Sequence, residues 1–133
     1  MKEKIKFMTI VKGKTNKSNM ESWKKVIERY APDMYDMIFV TGEEESIKQV
    51  GKLRPEIIVI DLGNQHKPMD ALGLLKKIKQ LHPPAPILII LGMVNDEQET
   101  IDEFMAYGAY KCYLPPIVVD TLIHDMYVAL NLE

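Results

Sequence analysis

The sequence predicts an α/β fold in which a doubly wound (βα)5 domain carries one parallel sheet between two layers of helices. Short apolar runs alternate along the chain with stretches of helical period, which is the pattern of a parallel sheet with helical crossovers. The third run, Ile57–Ile60, lies between Pro55 and Gly63 and is apolar throughout, as in a strand buried on both faces. At 133 residues the chain fits a single domain, residues 1–133.

Five apolar runs are the predicted strands of this sheet. They are Ile5–Val11, Met37–Val40, Ile57–Ile60, Ile87–Leu91 and Lys111–Leu114. Each has four to seven residues, which is the usual length of a strand. Because crossovers between parallel strands are right-handed, the helices between them are expected on both faces of the sheet.

The helices are predicted from apolar spacing and end signals. The first follows Ser18 or Asn19 as N-cap and places on one face Met20, Trp23, Val26, Ile27 and Tyr30. The second begins with a capping box of Thr41 and Glu44, and its apolar stripe is Ile47, Val50 and Leu53.

The remaining three helices show similar signals. The third begins near Asp70, ends at His82 and buries Leu72, Leu75 and Ile78. The fourth opens on Asn95 with acidic residues in its first turns, which suits the positive end of a helix dipole, and it stops at Gly108. The fifth follows Pro115 and Pro116, and its apolar residues are Val119, Leu122, Ile123, Met126, Tyr127 and Leu130.

Composition excludes several classes of function. With 17 basic and 19 acidic residues, the net charge of −2 gives no electrostatic case for binding nucleic acid or an anionic membrane. The single Cys112 rules out an internal disulfide and a cysteine-based zinc site, and the three histidines lack ligand spacing. Because no 18-residue apolar run or signal peptide is found, we expect a cytoplasmic protein.

Asp61 ends the predicted central strand and is the first candidate site residue. In open α/β sheets, ligands bind at the carboxyl ends of the strands, so a carboxylate there is a candidate by position. The alternative is a structural role, in which Asp61 caps a loop or pairs with a lysine. Lys12 follows the first strand and is expected to be a neighbour. A permanent Lys12–Asp61 ion pair is therefore a hypothesis, which a double-mutant cycle would test.

Several motifs resemble, in their order and spacing, the receiver domain of bacterial response regulators over nearly the whole chain. They are Gly42–Glu45, Arg54–Leu62, Met69–Leu72, Leu74–Ile78, Pro86–Ile90, Tyr107–Ala109 and Leu114–Pro116. The resemblance implies a flavodoxin-like, CheY-like three-layer sandwich with strand order 2-1-3-4-5. It also implies that Asp61 occupies the phospho-acceptor position.

The same resemblance implies partners around the acceptor that this chain lacks. The family's acid pair, which holds Mg²⁺ after the first strand, falls on Lys12 and Gly13. The family's lysine after the fifth strand falls on Pro115, and its Ser or Thr after the fourth strand falls on Leu91, followed by Gly92. We therefore predict a degenerate pseudo-receiver that is not an enzyme, binds no cofactor and has lost the Mg²⁺ site.

Two further groups of residues are candidates for binding. The loop residues Lys12, Lys14, Thr15 and Lys17 could form an anion site at a helix N-terminus, although a solvated loop is the simpler interpretation. The tyrosines around the fifth strand are Tyr107, Tyr110 and Tyr113. In receivers, the face of helix 4, strand 5 and helix 5 is where partners and dimers dock. Exposed tyrosines would fit such an interface, and inward packing is the alternative. The family's switch aromatic falls near Cys112 or Tyr113.

The function predicted from these observations is a stand-alone receiver-like signalling module of a two-component or phosphorelay pathway. We expect it to act by binding a protein, either a histidine kinase or a downstream signalling protein, with a homodimer as a further form. One alternative is a working phospho-acceptor that uses Asp61. The other is a small-molecule or nucleotide sensor that binds an anion at the loop after the first strand.

Overall fold

The computed structural model describes residues 4–11, 17–63, 71–92 and 96–131, in which five strands alternate with five helices. The strands are β1 (Ile5–Val11), β2 (Tyr35–Thr41), β3 (Ile57–Asp61), β4 (Ile87–Ile90) and β5 (Lys111–Tyr113). The helices are α1 (Lys17–Tyr30), α2 (Glu43–Leu53), α3 (Leu72–Leu81), α4 (Glu97–Ala106) and α5 (Val119–Ala129). The predicted alternation of strands and helices is confirmed, and β2 begins two residues earlier than predicted.

The strands form one parallel sheet in the order β2-β1-β3-β4-β5, which confirms the predicted topology. β3 lies at its centre, and its four apolar residues are fully buried because both faces of the strand are covered by helices. The register places Asp61 beside Val11 of β1 and Ile90 of β4. The centre of the sheet therefore carries the candidate site residue at its carboxyl edge.

Two apolar cores lie on opposite faces of the sheet. Alternation along β3 directs Ile57 and Val59 to the face covered by α1 and α5, and Ile58 and Ile60 to the face covered by α2, α3 and α4. The first core also includes Phe7, Ile27, Leu88, Leu122 and Met126. The second includes Met8, Val50, Leu75, Ile89 and Phe104. This is the predicted three-layer arrangement.

The starts of two helices differ from the predicted caps. α1 begins at Lys17, so Ser18 and Asn19 lie inside its first turn instead of capping it. The predicted capping box of Thr41 and Glu44 is also wrong. Thr41 still belongs to β2, where it pairs with β1, and Gly42 takes the N-cap position of α2 with no side-chain hydrogen bond to the cap.

The other helix ends follow the sequence more closely. Asp96 caps α4, because its side chain accepts a hydrogen bond of 3.2 Å from the backbone N–H of Glu99. α4 stops before Gly108, whose φ of +108° suits glycine. The apolar spacing predicts Tyr30 on the same face as Trp23 and Ile27, but Tyr30 is 49% exposed at the last residue of α1. Asp70 and Asn95, which were named at helix starts, lie outside the described residues, and the side chain of Met20 is also undescribed.

Candidate functional site

Asp61 is half-buried at the carboxyl end of β3. Its Oδ1 accepts a hydrogen bond of 2.9 Å from the backbone N–H of Gly63, which has a φ of +56°. This local turn holds the carboxylate at the strand end. Within the described residues it has no ion-pair partner, and the neighbours that the register gives it, Val11 and Ile90, are apolar.

The residues that follow β4 and β5 lie at the same edge of the sheet as Asp61. Leu91 is buried, and its backbone N–H donates a 2.8 Å hydrogen bond to the carbonyl of Tyr113. Gly92 is buried beside it, and Pro115 is exposed after β5, joined to Pro116 by a cis peptide bond. The edge therefore brings Asp61 together with positions that supply no hydroxyl and no ammonium group.

At this edge the described residues offer Asp61 as a carboxylate ligand, flanked within the sheet by apolar residues. Magnesium takes near-octahedral oxygen coordination and is usually held by one or two carboxylates with several waters. Asp61 offers one carboxylate between two apolar neighbours, and the described parts of the chain contain no group of three or more His, Cys, Asp or Glu residues that could hold a metal. The loss of the Mg²⁺ site stays a prediction.

The loop after β1 lies outside the described residues. This applies to Lys12, Gly13, Lys14 and Thr15, and the side chain of Lys17 at the start of α1 is also undescribed. The anion site and the Lys12–Asp61 ion pair therefore stay predictions.

An apolar cleft of about 290 Å³ opens beside Asp61, between α1 and α5. Its walls include Trp23 and Val26 of α1, Ile90 of β4, and Leu122 of α5. The apolar spacing of the first helix predicts that Trp23 packs inward. It does pack against the core, but it also faces this cleft, which forms only where two helices that are distant in the sequence meet above the sheet edge.

Cys112 and Tyr113 point to opposite faces of β5, as neighbouring strand residues do. Cys112 packs against the core on the α2, α3 and α4 side, and burial raises the pKa of its thiol to about 11. A thiol with this pKa is protonated at neutral pH, so Cys112 is a packing residue and not a reactive thiol. Tyr113 belongs to the other core.

Tyr113 takes part in a polar cluster that joins β5 to α5. Its hydroxyl donates a 2.7 Å hydrogen bond to Oδ2 of Asp125, and Nζ of Lys111 lies 2.8 Å from the same oxygen. Burial, and then the hydrogen bond to the carboxylate, raise the pKa of Tyr113. Partial burial by itself raises the pKa of Asp125. The hydrogen bonds from Lys111 and Tyr113 and the positive charges of Lys111 and His124 lower it by more, so the pKa of Asp125 lies below its usual value.

The three tyrosines of the predicted interface do not form one surface. Tyr107 and Tyr110 are each 41% exposed, and Met105 nearby is 43% exposed. Tyr113 is buried, so its inclusion in an exposed interface is wrong, because its ring packs under α5. Tyr107 and Tyr110 lie in the connection that leads into β5, so they are at the amino edge of the sheet, opposite Asp61.

Comparison with known proteins agrees with this architecture. No protein-family model matches the chain. It is 32% identical over 78 residues to the nitrogen assimilation regulatory protein NtrX of Azorhizobium caulinodans, covering 59% of this chain and 17% of that protein. A response regulator structure from Thermotoga maritima superposes with a TM-score of 0.76 at 16% identity, covering 97% of this chain and 99% of that one. The chain has the fold of response regulator receiver domains.

The receiver fold also matches part of a longer solved chain. NtrX from Brucella abortus superposes with a TM-score of 0.74 at 19% identity, covering 98% of this chain and 27% of that one. The chain thus spans about a quarter of that protein and about a sixth of the NtrX relative from Azorhizobium caulinodans. None of the described helices has the length and apolar character needed to cross a membrane.

Proposed function

We propose that this chain is a receiver-like signalling module of a two-component pathway that acts by binding other proteins, without Mg²⁺-dependent phosphorylation of Asp61. The observation that carries the proposal is the environment of Asp61. Leu91, Gly92 and Pro115 occupy the positions at this sheet edge where the receiver resemblance implies a hydroxyl and a lysine.

In phosphoryl transfer, the protein mainly positions the reacting groups and stabilises negative charge. A metal, a cation and a hydroxyl would each neutralise charge on the transferred phosphoryl group. Removing one such electrostatic contact from an enzyme site typically slows the reaction about 10²- to 10³-fold. Leu91, Gly92 and Pro115 supply neither the hydroxyl nor the cation at the positions that the resemblance implies, so Asp61 would be a poor acceptor.

Phosphorylation can be tested directly. The protein would be incubated with Mg²⁺ and acetyl phosphate, and its intact mass measured by mass spectrometry at acidic pH to preserve acyl phosphates. We expect no added phosphoryl group. Labelling of the wild type that is lost in Asp61→Asn would contradict the proposal and support the alternative of a working phospho-acceptor.

The proposed protein-binding surface is formed by Met105, Tyr107 and Tyr110, beside the edge strand β5. Large, partly exposed aromatic and methionine side chains of this kind are enriched at protein interfaces. The proposed partners are a histidine kinase, a downstream signalling protein or a second copy of the chain. These partners would dock on the α4, β5 and α5 side, away from Asp61.

The homodimer form of this proposal is tested by sedimentation equilibrium. We expect a concentration-dependent dimer that Tyr110→Glu weakens. Tyr30→Glu is the matched control, because Tyr30 is 49% exposed but lies on α1. A monomer at all concentrations would remove the homodimer from the proposal, and equal weakening by both substitutions would show that the effect is not specific to this surface.

A further inference from the structure

The cleft between α1 and α5 combines a carboxylate with apolar walls. Asp61 is the one ionisable residue among the described residues that line it, and Trp23, Val26, Ile90 and Leu122 supply apolar surface. Ser22, also on α1, adds a hydroxyl. A half-buried carboxylate next to apolar surface attracts a cation more strongly than a fully hydrated one, because less water screens the interaction.

The charge of the cleft selects the sign of its occupant. An anion would meet the carboxylate of Asp61 with no described cation lining the cleft to offset it. A monocation would gain an ion pair, and the indole ring of Trp23 adds an aromatic surface of the kind that attracts cations. This site is therefore distinct in charge from the anion site predicted at the loop after β1.

The volume and the apolar walls of the cleft indicate the size of the ligand and the kind of group that it carries besides its charge. The cleft volume of about 290 Å³ lies just below the range of about 300–1,000 Å³ that is typical of ligand pockets. A compact ligand therefore fits better than a nucleotide. Because the walls are mainly apolar, the ligand gains free energy by burying an aryl or alkyl group against them.

We propose that this cleft binds a small primary amine with an apolar body, with its ammonium group against Asp61 and its aryl or alkyl group between α1 and α5. The proposal goes beyond signalling through protein contacts and does not depend on it. It assigns Asp61 a role in recognition that requires neither phosphate nor metal.

The test uses three probes of similar size: 2-phenylethylamine, 2-phenylethanol and 3-phenylpropionate, each titrated into the full chain with EDTA present. Trp23 is the only tryptophan, so its fluorescence reports on the cleft directly. The melting temperature provides a second readout, since a ligand that binds the folded state raises it. We expect saturable binding of the amine that is at least about tenfold tighter than that of the alcohol, as for a charge-assisted contact, and weakest binding of the carboxylate.

Three variants of the chain complete the test. In Asp61→Asn, the ratio of the affinity for the amine to the affinity for the alcohol is expected to fall to about one, since a charge-assisted contact is lost. Val26→Phe fills the cleft and is expected to abolish binding of the amine. Val128→Phe, at an exposed position of α5 away from the cleft, should bind the amine like the wild type.

Several results would overturn the proposal. Absence of amine binding to the wild type would do so, as would equal binding of amine and alcohol, or unchanged binding to Val26→Phe. Amine binding to Lys12→Ala but not to the wild type would also overturn the proposal, because Asp61 would then already be paired with Lys12.

Discussion

The hydroxyl of Tyr113 on β5 donates a 2.7 Å hydrogen bond to the carboxylate of Asp125 on α5. The same oxygen pairs with Lys111, which lies two residues before Tyr113 on the strand. These contacts fix α5 against the edge strand of the sheet. They also hold one wall of the cleft beside Asp61, because Leu122 on α5 lines that cleft.

Tyr113→Phe should lower the free energy of unfolding by about 1–2 kcal/mol, because the buried ring is kept while a hydrogen bond to a charged group is lost. Tyr110→Phe is the matched control, since Tyr110 is 41% exposed and directly precedes the same strand. Urea unfolding followed by circular dichroism measures both variants. Equal stability of wild type and Tyr113→Phe would show that the hydrogen bond contributes nothing net.

The stability that Asp125 contributes should depend on pH. Its pKa is lowered in the folded state, so its carboxylate stabilises the fold above the unfolded pKa, near 4. That contribution is lost as pH falls through the lower, folded pKa. We expect Asp125→Asn to cost about 1 kcal/mol at pH 7, after allowing for solvent screening of the exposed Lys111, and progressively less as the pH falls below about 4. Unfolding curves of both proteins across this range measure the difference, and a pH-independent difference would contradict the assignment.

His82 links the end of α3 to the segment before β3. Its Nε2 lies 2.7 Å from the carbonyl oxygen of Pro55, and the residue is buried. His82→Leu removes the donor and leaves a buried carbonyl unpaired, which should cost about 1–3 kcal/mol. His82→Gln keeps a donor near Nε2 and should recover part of this loss in the same unfolding assay. Equal losses in both variants would indicate that packing, not the hydrogen bond, is responsible.

Much of the fold was predictable because its signals are local. The apolar residues of β3, the glycine after α4 and the acidic start of α4 each act over a few residues, and the strand order follows from the resemblance to receivers. The cap of α2 was not predictable in this way. Thr41 has the side chain of an N-cap but is held in β2 by its pairing with β1, so the turn falls on Gly42.

The candidate site was only partly predictable. Asp61 follows directly from its position at the end of a buried strand. The cleft beside it and the Tyr113–Asp125 hydrogen bond depend on how α1 and α5 pack over the sheet. Such contacts join residues that are distant in the sequence, and single-sequence periodicity carries no information about which of them meet.

The central claim is that Asp61 does not work as a Mg²⁺-dependent phospho-acceptor. The most direct measurement is thermal unfolding of the wild type and Asp61→Asn with and without Mg²⁺ and beryllofluoride, which mimics an aspartyl phosphate. We predict the same melting temperature for the wild type in all conditions. A rise that requires both additives and is absent in Asp61→Asn would contradict the claim and show a working phosphorylation switch.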